Sequence, residues 1–225
     1  MPTRERDLSP SDVLRLYRSA PFSVRLHVAV RWRLFPFPAL LRLAPSRGTL
    51  LDLGCGHSLL AFCLALRYPA AQVWGVDPDP GRIRLARAIT RSHAVANVHF
   101  EEGLAEETSL PEACALVSLV DVLYLIPPES QDRLVQRAAR SLQPGGRLLL
   151  KEMGRRPRWK YVWNWMQEWL AVRALRITYG QRFYFRPEAD WEQMLRGLGL
   201  HVQIVRLDAG YPYPHLLLVG ERPVC

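Results

Sequence analysis

Glycine and aspartate residues at the ends of predicted strands form the first chemical signal in this sequence. The segment Asp52-Leu-Gly-Cys-Gly-His-Ser58 follows an apolar run and precedes a helical one. Gly54 and Gly56 let the backbone approach a ligand closely, and the N-terminus of the next helix offers free N–H donors. Asp77 ends the second apolar run, where it can accept hydrogen bonds from a ribose diol, and Asp121 ends the fourth. We expect them to meet in one crevice, because open parallel sheets bind ligands beyond the carboxyl ends of their strands.

The spacing of the glycines argues against a dinucleotide ligand. The Gly-x-Gly-x-x-Gly pattern of nicotinamide-dependent dehydrogenases needs a glycine at position 59, and this chain has Leu59. A close crossing of helix and strand over a pyrophosphate is therefore not supported. A nucleoside ligand without a pyrophosphate fits the pattern better.

The elements that position these residues alternate short apolar runs with helical patterns, which predicts an α/β fold with a doubly wound sheet. Strands are predicted at residues 49–53, 72–76, 97–100, 113–120, 147–151, 201–207 and 215–219. Helices are predicted at residues 59–67, 82–92, 129–142 and 187–198. Residues 10–44 indicate one or two helices, interrupted by Pro21 and ended at Phe35-Pro-Phe-Pro38. After the fifth strand, apolar residues recur at helical spacing between Tyr161 and Leu170.

Composition excludes several classes of protein. With 49% hydrophobic and 10% aromatic residues, the chain is neither collagen-like nor intrinsically disordered. It has no uncharged apolar run of about 18 residues, so no membrane-spanning helix is expected. The start of the chain lacks the apolar core of a secretory signal, and the four cysteines lack zinc-ligand spacing, which predicts a cytoplasmic protein with reduced thiols. No two histidines have metal-ligand spacing either, so no metal is expected.

The net charge of +9 is concentrated in two blocks. Residues 1–50 carry nine basic and three acidic side chains, and residues 151–186 carry nine basic and two acidic ones. The rest of the chain is mildly acidic. This asymmetry favours an acidic small molecule, an anionic membrane surface or nucleic acid as the partner.

Four segments together resemble the class I S-adenosylmethionine-dependent methyltransferases. They are Leu50–Gly56, Val76-Asp77, Asp121–Ile126 and Leu142–Leu150, and the similarity covers roughly residues 45–152. The resemblance implies S-adenosylmethionine as the cofactor. It also implies a mostly parallel seven-stranded sheet with an antiparallel last strand, an N-terminal helical cap and a helical insertion after strand five.

By the same resemblance, residues 1–225 form a single methyltransferase domain with four parts. These are a helical cap (1–47), a cofactor-binding core (48–152), a basic, Trp-rich lid (153–186), and a C-terminal helix with a strand pair (187–225). The residues implied to bind the cofactor are Asp52, Gly54, Cys55, Gly56, Asp77, Pro78, Gly103, Leu104, Asp121 and Val122.

Two positions depart from the pattern of that family. Ser58 stands where a third glycine is usual, and a small hydroxyl side chain there is compatible with binding. Gly103-Leu104 stands where the family often has Gly-Asp, whose acid faces adenine. Adenine would then use the Leu104 backbone amide, apolar packing, or a nearby acid such as Glu102.

Asp121 and Tyr124 are expected to line the methyl-transfer site, and Glu152 is a candidate base. The alternative for Glu152 is a salt bridge with a neighbouring arginine. His57 is a solvent-exposed loop residue, a loop hydrogen-bonding group or a base. Tyr17 and His27 lie on the cap, which often covers the cofactor in this fold, and are candidate substrate contacts.

The segment Arg155–Trp169 holds four of the seven tryptophans, among which Trp159 and Trp163 are further candidate substrate contacts. Its aromatic stripe is either the core of a lid or the apolar side of an amphipathic helix at an anionic membrane surface. Arg31-Trp-Arg-Leu-Phe-Pro-Phe37 repeats this basic and aromatic composition. A cytoplasmic protein is expected, and peripheral contact with an anionic membrane is the alternative to a buried lid for this stripe.

These observations favour methyl transfer, by in-line displacement, to a small hydrophobic molecule that is acidic or phenolic. One alternative is an RNA or protein methyltransferase, which the net charge favours. Against it, the chain has no RNA-binding signature and no Asn-Pro-Pro-Tyr-like tetrapeptide at 121–124, so nucleic acid is not the expected partner. The other alternative is a non-catalytic protein of this fold that binds the cofactor.

Overall fold

A seven-stranded sheet forms the centre of the computed structural model, which describes residues 7–154 and 183–224. The strand order is β3-β2-β1-β4-β5-β7-β6, and β7 is antiparallel to both of its neighbours while the other pairs are parallel. The predicted fold class is confirmed. The strands are β1 (Gly48–Leu53), β2 (Ala71–Asp77), β3 (Val98–Glu102), β4 (Cys114–Val120), β5 (Leu142–Met153), β6 (His201–Arg206) and β7 (His215–Glu221).

Helices cover both faces of the sheet. They are α1 (Pro10–Leu14), α2 (Phe22–Leu34), α3 (Phe37–Leu43), α4 (Leu59–Arg67), α5 (Pro80–Ser92), α6 (Pro128–Arg140) and α7 (Glu188–Gly197), with 3₁₀ turns at Arg15–Tyr17 and Leu123–Leu125. Because both faces of the sheet are covered, the central strand β4 is apolar along nearly all its length and buried. No helix in the described ranges is long and apolar enough to cross a membrane.

The N-terminal cap contains one more helix than the sequence predicts. The helices of the cap were expected to end at Phe35–Pro38, and that expectation is wrong, because α3 begins at Phe37. Pro38 stands in the first turn of α3, where its missing N–H costs no hydrogen bond. The cap packs on α4 through an edge-to-face contact between Tyr17 and Phe62, with ring centroids 6.0 Å apart.

Strand β5 is longer than the predicted 147–151, because the Pro-Gly-Gly turn is part of it. Cys114 of β4 pairs with Leu142, and after an irregularity Leu116 pairs with Arg147. Between these pairs, a Cβ atom on Gly146 would lie 2.6 Å from the Cys114 carbonyl oxygen. Glycine at 146 therefore permits the close approach of two strands, rather than only a turn before the strand.

Most of the predicted lid, residues 155–182, lies outside the described residues. The predicted helical block at 161–170 and the candidate contacts Trp159 and Trp163 lie there as well.

Gly146→Ala should lower the free energy of unfolding by about 1–3 kcal/mol, because the added methyl group meets backbone that cannot move aside. Gly197→Ala is the matched control, since a Cβ there meets nothing within 4 Å and alanine favours the helix by up to about 1 kcal/mol. Urea denaturation of both variants measures the difference. Equal stability of the two variants would contradict the close approach at Gly146.

Candidate functional site

A cavity of about 750 Å³ opens at the carboxyl ends of β1, β2 and β4, beneath α2. This is the point where the strand order reverses, since β2 and β4 lie on opposite sides of β1. The residues that line the cavity are His27, Val28, Arg31, Phe37, Asp52, Gly54, Cys55, Gly56, His57, Leu59, Leu60, Asp77, Pro78, Asp79, Pro80, Gly81, Arg82, Arg84, Val120, Asp121, Val122, Tyr124, Leu125 and Ile126.

Gly54 and Gly56, in the loop after β1 (the first loop), are required for different structural reasons. Gly54 has a φ of +70°, and a Cβ on it would lie 2.4 Å from a methyl carbon of Val122. Gly56 has a φ of +56°, and a Cβ on it would meet nothing within 4 Å. The first glycine therefore lets the loops after β1 and β4 pack together, and the second leaves open space beside the cavity.

Ser58 shows why a glycine is usual at its position. Its φ is +62°, in the left-handed region that costs a non-glycine residue about 1 kcal/mol. The side chain is buried, and its hydroxyl lies 3.6 Å from the Cys55 sulfur. The chain thus keeps the backbone turn of the loop with a serine in place of the glycine.

The Asp77 carboxylate joins two loops at the floor of the cavity. One of its oxygens accepts a hydrogen bond from the Gly56 N–H at 2.8 Å, and the other accepts one from the Asp79 N–H at 3.0 Å. Arg82 Nη1 lies 3.7 Å from it. The carboxylate is buried and held in place, and each oxygen has a further lone pair for a hydroxyl donor.

Asp52 lies deeper, at the wall between β1 and β4. Its carboxyl accepts a hydrogen bond from the Ser118 hydroxyl at 2.7 Å. Burial raises the pKa of Asp52 to about 7, although that hydrogen bond opposes the shift. This side chain supports the strand ends, and its raised pKa leaves it only partly ionised near neutral pH.

Asp121 is paired with two cations. Arg31 Nη2 lies 2.6 Å from one carboxylate oxygen, and the Lys151 ammonium donates to the other. Burial opposes the charge on Asp121, but the two cations outweigh it and hold its pKa well below the usual range. Burial also lowers the pKa of Lys151, and Asp121 works against that shift. Asp121 is therefore ionised at neutral pH, and each of its carboxylate oxygens is held in an ion pair.

Glu152 follows Lys151 on β5 but does not line the cavity. It is buried, and one carboxyl oxygen has no hydrogen-bond partner among the described residues, where no arginine pairs with it. Burial and the charge of Asp121 raise the pKa of Glu152 to about 8, whereas a backbone hydrogen bond from Leu123 opposes the shift. Glu152 thus sits behind the turn that carries Tyr124, as a largely protonated acid.

Two histidines face each other at the cavity rim. The rings of His27 and His57 meet edge to face with centroids 5.0 Å apart, and both residues line the cavity. Burial lowers the pKa of His27 to about 4 and also lowers that of His57. Tyr17 lies outside the cavity, and its hydroxyl donates to the His57 carbonyl at 2.7 Å. Tyr17 therefore holds the loop from behind.

The cavity brings together most of the residues named from the sequence. Eight of the ten implied cofactor contacts line it, along with Tyr124 and His27. Gly103 and Leu104 do not line it. The Gly103 N–H donates to the Asp77 carbonyl at 3.2 Å, and Leu104 is half exposed. Within 7–154 and 183–224, no group of three or more His, Cys, Asp or Glu side chains is arranged to hold a metal.

Arg31 is a cavity residue that was not predicted from the sequence. Arg31 reaches Asp121 across 90 positions of the chain, a pairing that no local pattern reveals. The one available signal was the basic charge of residues 1–50, which indicates that the cap carries cations without indicating which of them turns inward.

Comparison with known proteins agrees with this geometry. A family described as "Methyltransferase domain" matches residues 28–204, which is most of the chain. The chain belongs to the class I S-adenosylmethionine-dependent methyltransferases.

Named relatives of this methyltransferase differ in their chemistry. It is 29% identical over 186 residues to a ubiquinone biosynthesis O-methyltransferase of Xanthomonas oryzae pv. oryzae, covering 80% of this chain and 73% of the relative. It is 28% identical over 109 residues to a carboxy-S-adenosyl-L-methionine synthase of Alteromonas mediterranea, covering 47% of this chain and only 44% of the relative. The magnesium protoporphyrin IX methyltransferase of Synechocystis PCC 6803, solved with SAH, has the same fold, with a TM-score of 0.66, 19% identity, and coverage of 92% and 91%.

The cavity residues of the methyltransferase fit S-adenosylmethionine. Gly56 leaves space that a side chain would fill, and Asp77 presents a fixed carboxylate whose free lone pairs can accept hydrogen bonds from a ribose diol. A cavity of about 750 Å³ is in the range of small-molecule sites.

Asp77→Ala should raise the Kd for S-adenosylmethionine by roughly 100-fold or more, because it removes an acceptor of two charge-assisted hydrogen bonds. Asp77→Asn keeps one acceptor oxygen and should fall between Ala and wild type. Calorimetric titration gives the three values, with the exposed Glu129→Ala as the control. Unchanged affinity in Asp77→Ala, or no binding by wild type at millimolar cofactor, would refute this placement of the ribose.

Glu152 makes stability depend on pH in a defined direction. Its pKa is raised on folding from 4.5 to about 8, so the folded chain holds a proton that the unfolded chain has lost. Its contribution to the free energy of unfolding is therefore full at low pH and is lost as pH rises through that window.

The stability advantage of wild type over Glu152→Gln should accordingly fall by up to roughly 1.4 kcal/mol per pH unit across this window. Urea denaturation at several pH values from acidic to mildly alkaline measures it. The exposed Glu129→Gln serves as the control and should show no such trend. A pH-independent difference for Glu152→Gln would contradict a protonated, buried carboxyl.

Proposed function

We propose that this protein methylates a small, largely apolar molecule that carries an acidic or phenolic group. The observation that supports this most directly is Arg31. Its side chain is 34% exposed, lines the cavity, and stands beside apolar residues from the cap and from the loop after β4. A cation against an apolar wall suits an acceptor with the same two features.

On the cofactor side, we assign the first loop, Asp77, Pro78 and Val122 to S-adenosylmethionine. The cofactor supplies an activated methyl group when bound, so the protein needs mainly to align the acceptor and exclude water. Gly103 and Leu104 are not part of this assignment, because neither lines the cavity. Adenine would instead lie against the cavity wall formed by Pro78, Pro80 and Arg82.

On the acceptor side, we assign Tyr124, Leu125 and Ile126 from the loop after β4 together with Val28 and Phe37 from the cap. The ring of Tyr124 stacks on that of Phe185, with centroids 5.3 Å apart and planes 21° apart. This contact fixes the Tyr124 ring. An aromatic wall of this kind suits a flat or extended apolar acceptor better than a polar one.

The pairing of Asp121 changes the role that we propose for it. A carboxylate held by Arg31 and Lys151 is a weak base, because taking up a proton would break both ion pairs. We therefore propose that Asp121 positions Arg31, and that the acceptor either enters ionised or loses its proton easily beside that guanidinium. Carboxylate and phenolate acceptors meet this condition without a strong base. Glu152, protonated and outside the cavity, supports the Tyr124 turn in this proposal.

The Xanthomonas relative is an O-methyltransferase of ubiquinone biosynthesis, which supports an oxygen acceptor on an apolar molecule. A polynucleotide or protein acceptor and a non-catalytic role are the competing proposals. The cytoplasm is the proposed location.

The proposed acceptor class is tested by release of S-adenosylhomocysteine with a panel of lipophilic carboxylic acids and phenols, in which each acid that also carries a phenolic hydroxyl is paired with its neutral primary amide, because the amide keeps the hydroxyl as a methyl acceptor. Arg31→Met should lower kcat/KM for an active acid by roughly 100-fold, because a charge-assisted hydrogen bond is lost, and should change that for an amide much less. The exposed Arg42→Met on α3 is the control.

An equal loss for acids and amides would remove Arg31 from acceptor recognition. Turnover of RNA or protein substrates with none on the panel would overturn the small-molecule proposal. Cofactor binding without turnover of any of these substrates would favour the non-catalytic alternative.

A further inference from the structure

Helix α2 has one face that lines the cavity and another that faces solvent. One face carries His27, Val28 and Arg31, which line the cavity. The other face carries Phe22, Leu26 and Val30, which recur every fourth residue and therefore lie in one row. The exposed fractions of these three residues are 75%, 52% and 47%. A row of large apolar side chains thus faces outward directly behind the wall of the cavity.

This row is unusual for the molecule. Five large hydrophobic residues are exposed within the described ranges, and three of them belong to the row. The other two, Leu104 and Val224, stand far apart in the chain. Isolated exposed apolar residues are common on folded proteins, whereas a contiguous row indicates a contact surface.

Three arginines lie in a groove beside this row. Arg15, Arg18 and Arg25 are exposed and line a groove of about 430 Å³ that also contacts Phe22 and Leu26. No acidic residue lines this groove, and none of the three arginines forms an ion pair with a residue in 7–154 or 183–224. The surface therefore combines an apolar ridge with unneutralised positive charge.

We propose that this outer face of α2, defined by Phe22, Leu26 and Val30 with Arg15, Arg18 and Arg25, docks on an anionic lipid bilayer. Lipid phosphates would pair with the guanidinium groups, while the apolar side chains enter the boundary between headgroups and acyl chains. An anionic bilayer thus matches both the positive charge and the apolar side chains of this face. The proposal concerns residues other than the Trp-rich segment.

The positive charge of this face favours the bilayer over two other partners, a second copy of this chain and residues 155–182. A second copy of this chain would bring the same arginines together, and residues 155–182 are themselves strongly basic. Either occupant would leave positive charge facing positive charge. An anionic lipid surface neutralises the arginines and also offers an apolar layer to the ridge.

Docking through this face would place the cavity next to the lipid, because the opposite side of the same helix forms part of the cavity wall. An apolar acceptor dissolved in the bilayer would then have a short path to Arg31. The docking proposal is tested by binding alone, without acceptor or turnover, so its failure is distinguishable from failure of the proposed function.

The experiment is flotation of the full-length protein with vesicles of phosphatidylcholine alone and of phosphatidylcholine with phosphatidylglycerol in equal parts. We expect binding to the anionic vesicles only, weakening as salt is added. Arg25→Glu should lower the partition coefficient by roughly fivefold or more, and Leu26→Ser by roughly tenfold. The matched controls, Arg91→Glu on α5 and Val224→Ser, are also exposed and should leave binding unchanged.

Three results would overturn the proposal. The first is vesicle binding that is absent in wild type or equal in the α2 variants and the controls. The second is binding that survives Leu26→Ser and is lost in Trp163→Ala, which would transfer the contact to residues 155–169. The third is a dimer in sedimentation without vesicles that Leu26→Ser converts to a monomer. Because Arg25, Leu26, Arg91 and Val224 are exposed, their substitution is not expected to cause loss of folding, and an unchanged unfolding transition of each variant verifies it.

Discussion

The ion pairs that Asp121 forms with Arg31 and Lys151 connect the N-terminal cap to the central sheet. Lys151 belongs to the sheet and Arg31 to the cap, so the carboxylate at the end of β4 binds both together. The Phe35 ring lies close to both cations, with the Arg31 guanidinium 4.5 Å and the Lys151 ammonium 5.2 Å from its centroid. A buried charge of this kind is costly without its partners, so removal of the Asp121 carboxylate would leave two cations without their counter-ion in the wall of the cavity. The ion pair thus links α2 to the sheet, in addition to the apolar packing of the buried Val28.

On the cofactor side of the cavity, backbone hydrogen bonds hold the first loop in place. The N–H groups of Gly54 and Cys55 both donate to the Val76 carbonyl, which ties the first loop to β2. Asp77 then joins that loop to the start of α5 through the Gly56 and Asp79 N–H groups. Few of these contacts involve flexible side chains, so the loop is preorganised before any ligand enters. Preorganisation of this kind lowers the entropic cost of binding.

Helix α2 links the site to the surface of the molecule. Its inner face places Arg31 against the cavity, and its outer face presents an apolar row among arginines. A surface helix usually has an apolar stripe toward the core and polar residues toward solvent, whereas both sides of α2 carry apolar and basic residues. That composition has a physical explanation if one side meets an acidic, apolar acceptor and the other meets an anionic lipid surface. The same chemistry then serves recognition on both sides of one helix.

The fold class, the order of the strands, the glycine loop and the place of Asp77 at the end of β2 could be predicted from the amino-acid sequence. These features depend on short-range periodicity and on residues at strand ends, which are visible in a single chain. The folded arrangement was needed to show that Asp121 pairs with Arg31, that Glu152 is buried outside the cavity, and that Gly103 and Leu104 do not line it. It also decided that β5 begins at Leu142, through a close approach to Cys114. Such features arise from contacts between residues far apart in the chain, and local patterns carry no record of which distant side chain will become a neighbour.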